Sequence, residues 1–135
     1  MKEGMYHVFL ADDELTIRQG LKYIIEWETL GFEIVGEAAN GEDAIQFILK
    51  NLPDVVMLDI RMPKRTGLEV VKEIREKGYQ GKVIILSGYS EFKYAQQAIR
   101  YGVEYYLTKP IDEDELFETM KEIKQNLSKE TKKIE

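Results

Sequence analysis

Residues 55–63 read VVMLDIRMP. Four apolar residues run unbroken into Asp59, and Arg61 and Pro63 follow close behind. A continuous apolar run suits a strand whose sheet is covered on both faces, as parallel sheets are. A carboxylate at the tip of such a strand needs a reason. The pattern repeats outward from this stretch. YHVFLA (6–11) and EIVGEA (33–38) read as strands one and two, DVVMLD (54–59) as strand three, and KVIILS (82–87) and EYYL (104–107) as strands four and five.

Helical spacing fills the gaps. Ile17, Leu21, Ile24 and Ile25 share one face. Asn40 can cap a helix carrying Ala44, Ile45, Ile48, Leu49 and Leu52. Thr66 and Glu69 make a capping-box pattern ahead of Leu68, Val71 and Ile74. Ala95, Ala98 and Ile99 mark a fourth helix that ends near Gly102. Asp112 and Glu115 open a fifth, with Leu116, Met120, Ile123 and Leu127 facing inward. Five βα units predict an α/β fold, an open parallel sheet with helices on both faces. Ligands of such sheets sit at the carboxyl ends of the strands.

Composition narrows the class. The chain has 135 residues, enough for one domain with its own core. It has no cysteine, which excludes disulfides and thiolate metal sites. A net charge of −6 without a basic stripe argues against nucleic-acid binding by this chain. No apolar run approaches the ~18 residues of a membrane span. The opening MKEGMYHVFL lacks the features of a signal peptide, so a cytoplasmic location is expected.

The strand ends collect chemistry. Strand one closes on Asp12 and Asp13, strand three on Asp59 and strand four on Ser87, and strand five leads to Lys109 and Pro110. Strand two, ending in Glu37 and Ala38, adds nothing comparable. Three nearby carboxylates repel, and one takes up a proton unless a cation relieves the conflict. Mg²⁺ suits this set, because it prefers a few carboxylate oxygens plus waters and bridges to phosphate. Asp13 and Asp59 are expected as direct ligands, and Asp12 as a ligand either directly or through water. Asp59 then reads as a nucleophile toward a phosphoryl group, giving an acyl phosphate. Lys109 and the Ser87 hydroxyl are placed to meet two phosphoryl oxygens and Mg²⁺ the third.

The acidic pair Asp12–Asp13, LDIRMP around Asp59, LSGY with Ser87 and TKPI with Lys109 together closely resemble the receiver domain of two-component response regulators. The resemblance covers residues 6–127, and it is the ordered set of four motifs that makes it specific. It implies a flavodoxin-like sheet in the order 2-1-3-4-5 with five helices on both faces. It implies phosphoryl transfer from a sensor histidine kinase onto Asp59, self-catalysed, with no turnover of other substrates. It also implies a metal ligand from the Arg61 backbone carbonyl, a switch through Ser87 and Tyr106, and a cis Lys109–Pro110 bond. Homodimerisation through helix four, strand five and helix five follows from the same resemblance. GYSEFKYAQQAI and GEAANGEDAI look most like receivers fused to AraC-type helix-turn-helix outputs, which implies control of transcription. Residues 1–127 are read as the receiver, and 128–135 as a polar tail that starts a linker. Serine stands at position 87 where threonine is commoner in the family, and the hydroxyl survives.

Rival readings have their own tests. An aspartyl-nucleophile phosphatase wants a second aspartate two residues after the nucleophile, and Arg61 stands there. A flavin or nucleotide binder wants a phosphate cradle after strand one, and ADDELT is acidic. A docking module that is never phosphorylated would not need every site residue type. Taken singly, Asp13 is an ordinary helix cap, Arg61 a surface charge and Tyr106 a half-buried strand aromatic. His7 and Trp27 read as structural. Tyr89 is a surface aromatic or a gate over the site.

Overall fold

A computed structural model describes residues 4–88 and 92–134. The elements in chain order are β1 (Tyr6–Ala11), α1 (Leu15–Ile24), α2 (Trp27–Leu30), β2 (Phe32–Ala38), α3 (Gly41–Asn51), β3 (Val55–Asp59), α4 (Gly67–Glu76), β4 (Lys82–Ser87), α5 (Phe92–Ile99), β5 (Tyr105–Thr108) and α6 (Glu113–Ile134). The five strands form one sheet in the order β2-β1-β3-β4-β5, and every pairing is parallel. This is the expected α/β fold. Tyr89, the suggested gate, lies outside the described residues.

Alternation along the strands builds two cores. Val56 and Leu58 of β3 face one side with Phe9, Ile85, Ile48, Val71 and Ile74. Val55 and Met57 face the other with Leu10, Ile84, Leu21, Leu116, Met120 and Ile123. Thus α3, α4 and α5 cover one face, while α1, α2 and α6 cover the second. Burial on both faces is why β3 has no polar residue before Asp59.

The local helix signals hold. Asn40 accepts from the Asp43 amide, Thr66 and Glu69 form a complete capping box, and Asp112 accepts from the Glu115 amide. Two expectations are corrected. Six helices are described rather than five, because α2 adds a single turn around Trp27. Trp27 is buried and donates its indole N–H to the Leu21 carbonyl, which packs that turn under the end of α1. The segment 128–134, read as a tail, continues α6. Glu130 there is bonded to Lys82 at the start of β4. Among the described residues, no helix is long and apolar enough to cross a membrane.

Candidate functional site

Parallel strand order brings the ends of β1, β3, β4 and β5 to one edge. Asp12, immediately after β1, is fully buried. Its amide donates to the Ala38 carbonyl at 3.1 Å. Its Oδ1 accepts from the Glu14 amide at 2.9 Å. Its Oδ2 has Lys109 Nζ at 2.7 Å but lacks a hydrogen bond of proper geometry. The same ammonium lies 3.3 Å from Asp59 Oδ2, and Asp59 Oδ1 takes the Arg61 amide at 3.4 Å. One lysine therefore bridges two buried carboxylates.

The loop after β3 is tucked tightly against this pair. The Gly67 amide donates to the Ile60 carbonyl at 2.8 Å. A Cβ on Gly67 would lie 2.4 Å from the Asp59 carbonyl oxygen, so only glycine lets α4 begin there. The Lys109 amide donates to the Ser87 carbonyl at 2.7 Å, and the Lys109–Pro110 bond is cis as expected.

The electrostatics follow from the burial. Asp59 is pushed up to about 6 from an ordinary 3.8, chiefly by burial and then by the neighbouring Asp12 charge. Lys109 and the Arg61 amide pull the other way without winning. For Lys109, burial alone lowers the ammonium pKa, but Asp12 and Asp59 outweigh it and hold the group above its usual value. Two buried acids thus share one ammonium group.

Of the residues singled out in the sequence, Asp12, Asp59 and Lys109 meet directly. Asp13 is exposed, and carboxylate oxygens of Asp12, Asp13 and Glu14 lie within 4.8 Å of one another. This acidic cluster and the buried Asp12 Oδ2 form a hard-oxygen set that fits a divalent cation. Ser87 is buried and its hydroxyl donates to the Tyr106 hydroxyl, so the two suggested switch residues already touch. Tyr106 is half-buried against the α3–α4–α5 core. The side chain of Arg61 is exposed.

Sequence reasoning passed over Arg18, Glu37 and Glu14. Arg18 Nη1 donates to the Asp12 carbonyl at 2.6 Å and its Nε to Glu37 Oε1 at 2.9 Å. The signal was available in outline: β2 neighbours β1, so the end of β2 must lie beside Asp12.

Residues 8–121 match the response regulator receiver domain family. The chain is 42% identical over 119 residues to the uncharacterized transcriptional regulatory protein YesN of Bacillus subtilis, a match covering 88% of this chain and 32% of that one. It therefore spans about a third of that relative's length. Among solved structures, the receiver domain of AraT, a response regulator from Geobacillus stearothermophilus, superposes with a TM-score of 0.89 at 40% identity over 94% of this chain and 98% of the other. A two component transcriptional regulator AraC from Clostridium phytofermentans gives a TM-score of 0.82 at 35% identity over 92% and 96%.

Proposed function

Because this chain belongs to the response regulator receiver domain family, we propose that Asp59 is its phosphoacceptor and that a sensor histidine kinase is the donor. The observation that carries this reading is the buried Asp12–Lys109–Asp59 bridge. It leaves Asp59 held at a strand tip with its carboxylate unevenly compensated. An Asp59 carboxylate oxygen attacks phosphorus, the bond to the donor nitrogen breaks, and the leaving group keeps the electron pair. Lys109 then moves its attraction from Asp12 to a phosphoryl oxygen. Mg²⁺, held by Asp13, Asp59 and the Arg61 carbonyl with Asp12 direct or through water, would neutralise charge on the phosphoryl oxygens. The chain modifies itself and turns over no external substrate; a phosphatase acid/base is replaced by Arg61.

The output follows from the Ser87–Tyr106 hydrogen bond. A phosphoryl group on Asp59 competes for the Ser87 hydroxyl and so alters the partner of Tyr106 on the α5–β5–α6 face. That face is where a homodimer would form. Shifting a two-state equilibrium from 1:99 to 99:1 needs about 5.5 kcal/mol. One charge-assisted hydrogen bond gives about 1.5–3 kcal/mol, so Lys109 and the cation must contribute to the switch. Length supports an output outside this chain, since the regulators it matches are much longer. We assign that output to transcription in the cytoplasm.

The test is incubation with acetyl phosphate and Mg²⁺ followed by intact mass and peptide mapping. One phosphoryl adduct is expected, on the peptide containing Asp59, and none should form when the metal is chelated beforehand. An adduct that persists in Asp59→Asn would overturn the assignment.

A further inference from the structure

Arg18 sits in the first turn of α1, and its guanidinium turns back toward the loop after β1. Both ends of its fork are in use. Nη1 serves the Asp12 carbonyl at 2.6 Å, and Nε serves Glu37 Oε1 at 2.9 Å. The other Glu37 oxygen is taken by the Lys22 ammonium. The Arg18 side chain is only 12% exposed, so the arrangement is packed rather than a surface encounter. From the neighbouring strand end, the Ala38 carbonyl takes the Asp12 amide. Asp12 is thus gripped on both sides of its backbone, by Ala38 at its amide and by the Glu37-anchored arginine at its carbonyl.

A cation so close to Asp12, Asp13 and Glu14 would ordinarily bond their carboxylates and compete with any metal there. This one does not. Glu37 holds the fork toward β2, and among the described residues the arginine reaches the acidic turn through one main-chain oxygen, the Asp12 carbonyl. The Asp12 carboxylate is met instead by the Lys109 ammonium, 2.7 Å from Oδ2, and by the Glu14 amide at Oδ1. Groups that hold metal-binding residues in place commonly matter almost as much as the ligands themselves.

We propose that Arg18 and Glu37 form a positioning pair that fixes the Asp12 backbone and keeps the acidic turn open for a divalent cation. This rests on the cation-site reading given above. Arg18→Ala would let the turn relax, and Glu37→Ala would release the guanidinium onto the carboxylates. Either change removes the same arrangement, so the two are not independent.

The experiment is a Mg²⁺ titration of the unphosphorylated full chain, followed by the amide signals of Asp12 to Glu14. It uses Arg18→Ala, Arg18→Lys, Glu37→Ala, the double alanine variant and Asp13→Ala. About tenfold weaker Mg²⁺ binding is expected in each single alanine variant of the pair, with the double variant no worse than Arg18→Ala. Arg18→Lys, which cannot hold both partners, falls between. Phosphorylation by acetyl phosphate should slow in these variants at low Mg²⁺ and recover at saturating Mg²⁺. Lys82→Ala, at the opposite end of the sheet, should leave Mg²⁺ binding unchanged. If Arg18→Ala and Glu37→Ala bind within about twofold of the parent while Asp13→Ala has lost binding, the pair has no such role although the cation site stands. If Asp13→Ala also binds normally, the cation site itself is wrong and the proposal falls with it. Should Arg18→Ala not fold, Arg18→Lys and Glu37→Ala carry the same decision.

Discussion

The two ends of the sheet handle polar groups in opposite ways. At the amino end of the strands, the polar groups that meet are donors and acceptors in full partnership. The Tyr79 hydroxyl donates to the Pro53 carbonyl, Arg75 donates to the carbonyls of Tyr101 and Tyr79, and Lys82 meets Glu130. At the carboxyl end, two buried acids share Lys109 and the Asp59 pKa rises. The first end is built to stabilise. The second gives up stability, since two carboxylates buried around a single cation generally cost the folded state.

The largest effect should come from removing the shared base. Lys109→Met leaves two buried carboxylates facing each other and should cost about 3–5 kcal/mol near pH 7.5. Much of that loss should return as the pH falls and Asp59 takes up a proton. Urea unfolding at several pH values measures both parts.

Asp59→Asn works in the other direction. Its folded pKa of about 6 lies above the ordinary 3.8, so the folded state binds the extra proton between these values. Stability from this group is therefore greatest below pH 3.8 and falls as pH rises through 6. Removing the charge should stabilise the protein by about 2–3 kcal/mol near neutral pH and by nothing in acid. A destabilised Asp59→Asn at neutral pH would break the contrast between the two ends.

Variants at the amino end should look ordinary. Arg75→Met loses two charge-assisted bonds to backbone carbonyls and should cost about 2 kcal/mol, with no effect on Mg²⁺ binding. The half-exposed Lys82–Glu130 pair should matter least, with Lys82→Ala costing under about 1 kcal/mol. Thermal unfolding of both, with and without Mg²⁺, sharpens the comparison.

How far the sequence could be read follows the same division. Buried parallel strands announce themselves as apolar runs, so β1 and β4 were located to the residue and β3 to within one. Caps are local, so Asn40, Thr66 with Glu69, and Asp112 were legible too. Helix α2 was not, because four residues are too few for a periodic signal. The end of α6 was missed since its apolar stripe stops near Leu127, while the Glu130–Lys82 contact depends on a strand far away in sequence. At the site, the residue types were visible at the strand ends, but their division of labour was not. Only the folded chain puts Asp12 inside and Asp13 outside, and only it brings Arg18 and Glu37 across from α1 and β2.

The most direct test of the unequal ends is to titrate the Asp59 side-chain carboxyl carbon by NMR in the metal-free protein, then repeat it with Mg²⁺. A midpoint near 6, falling when Mg²⁺ is added, is the predicted result. A midpoint near 3.8 that ignores the metal would contradict it.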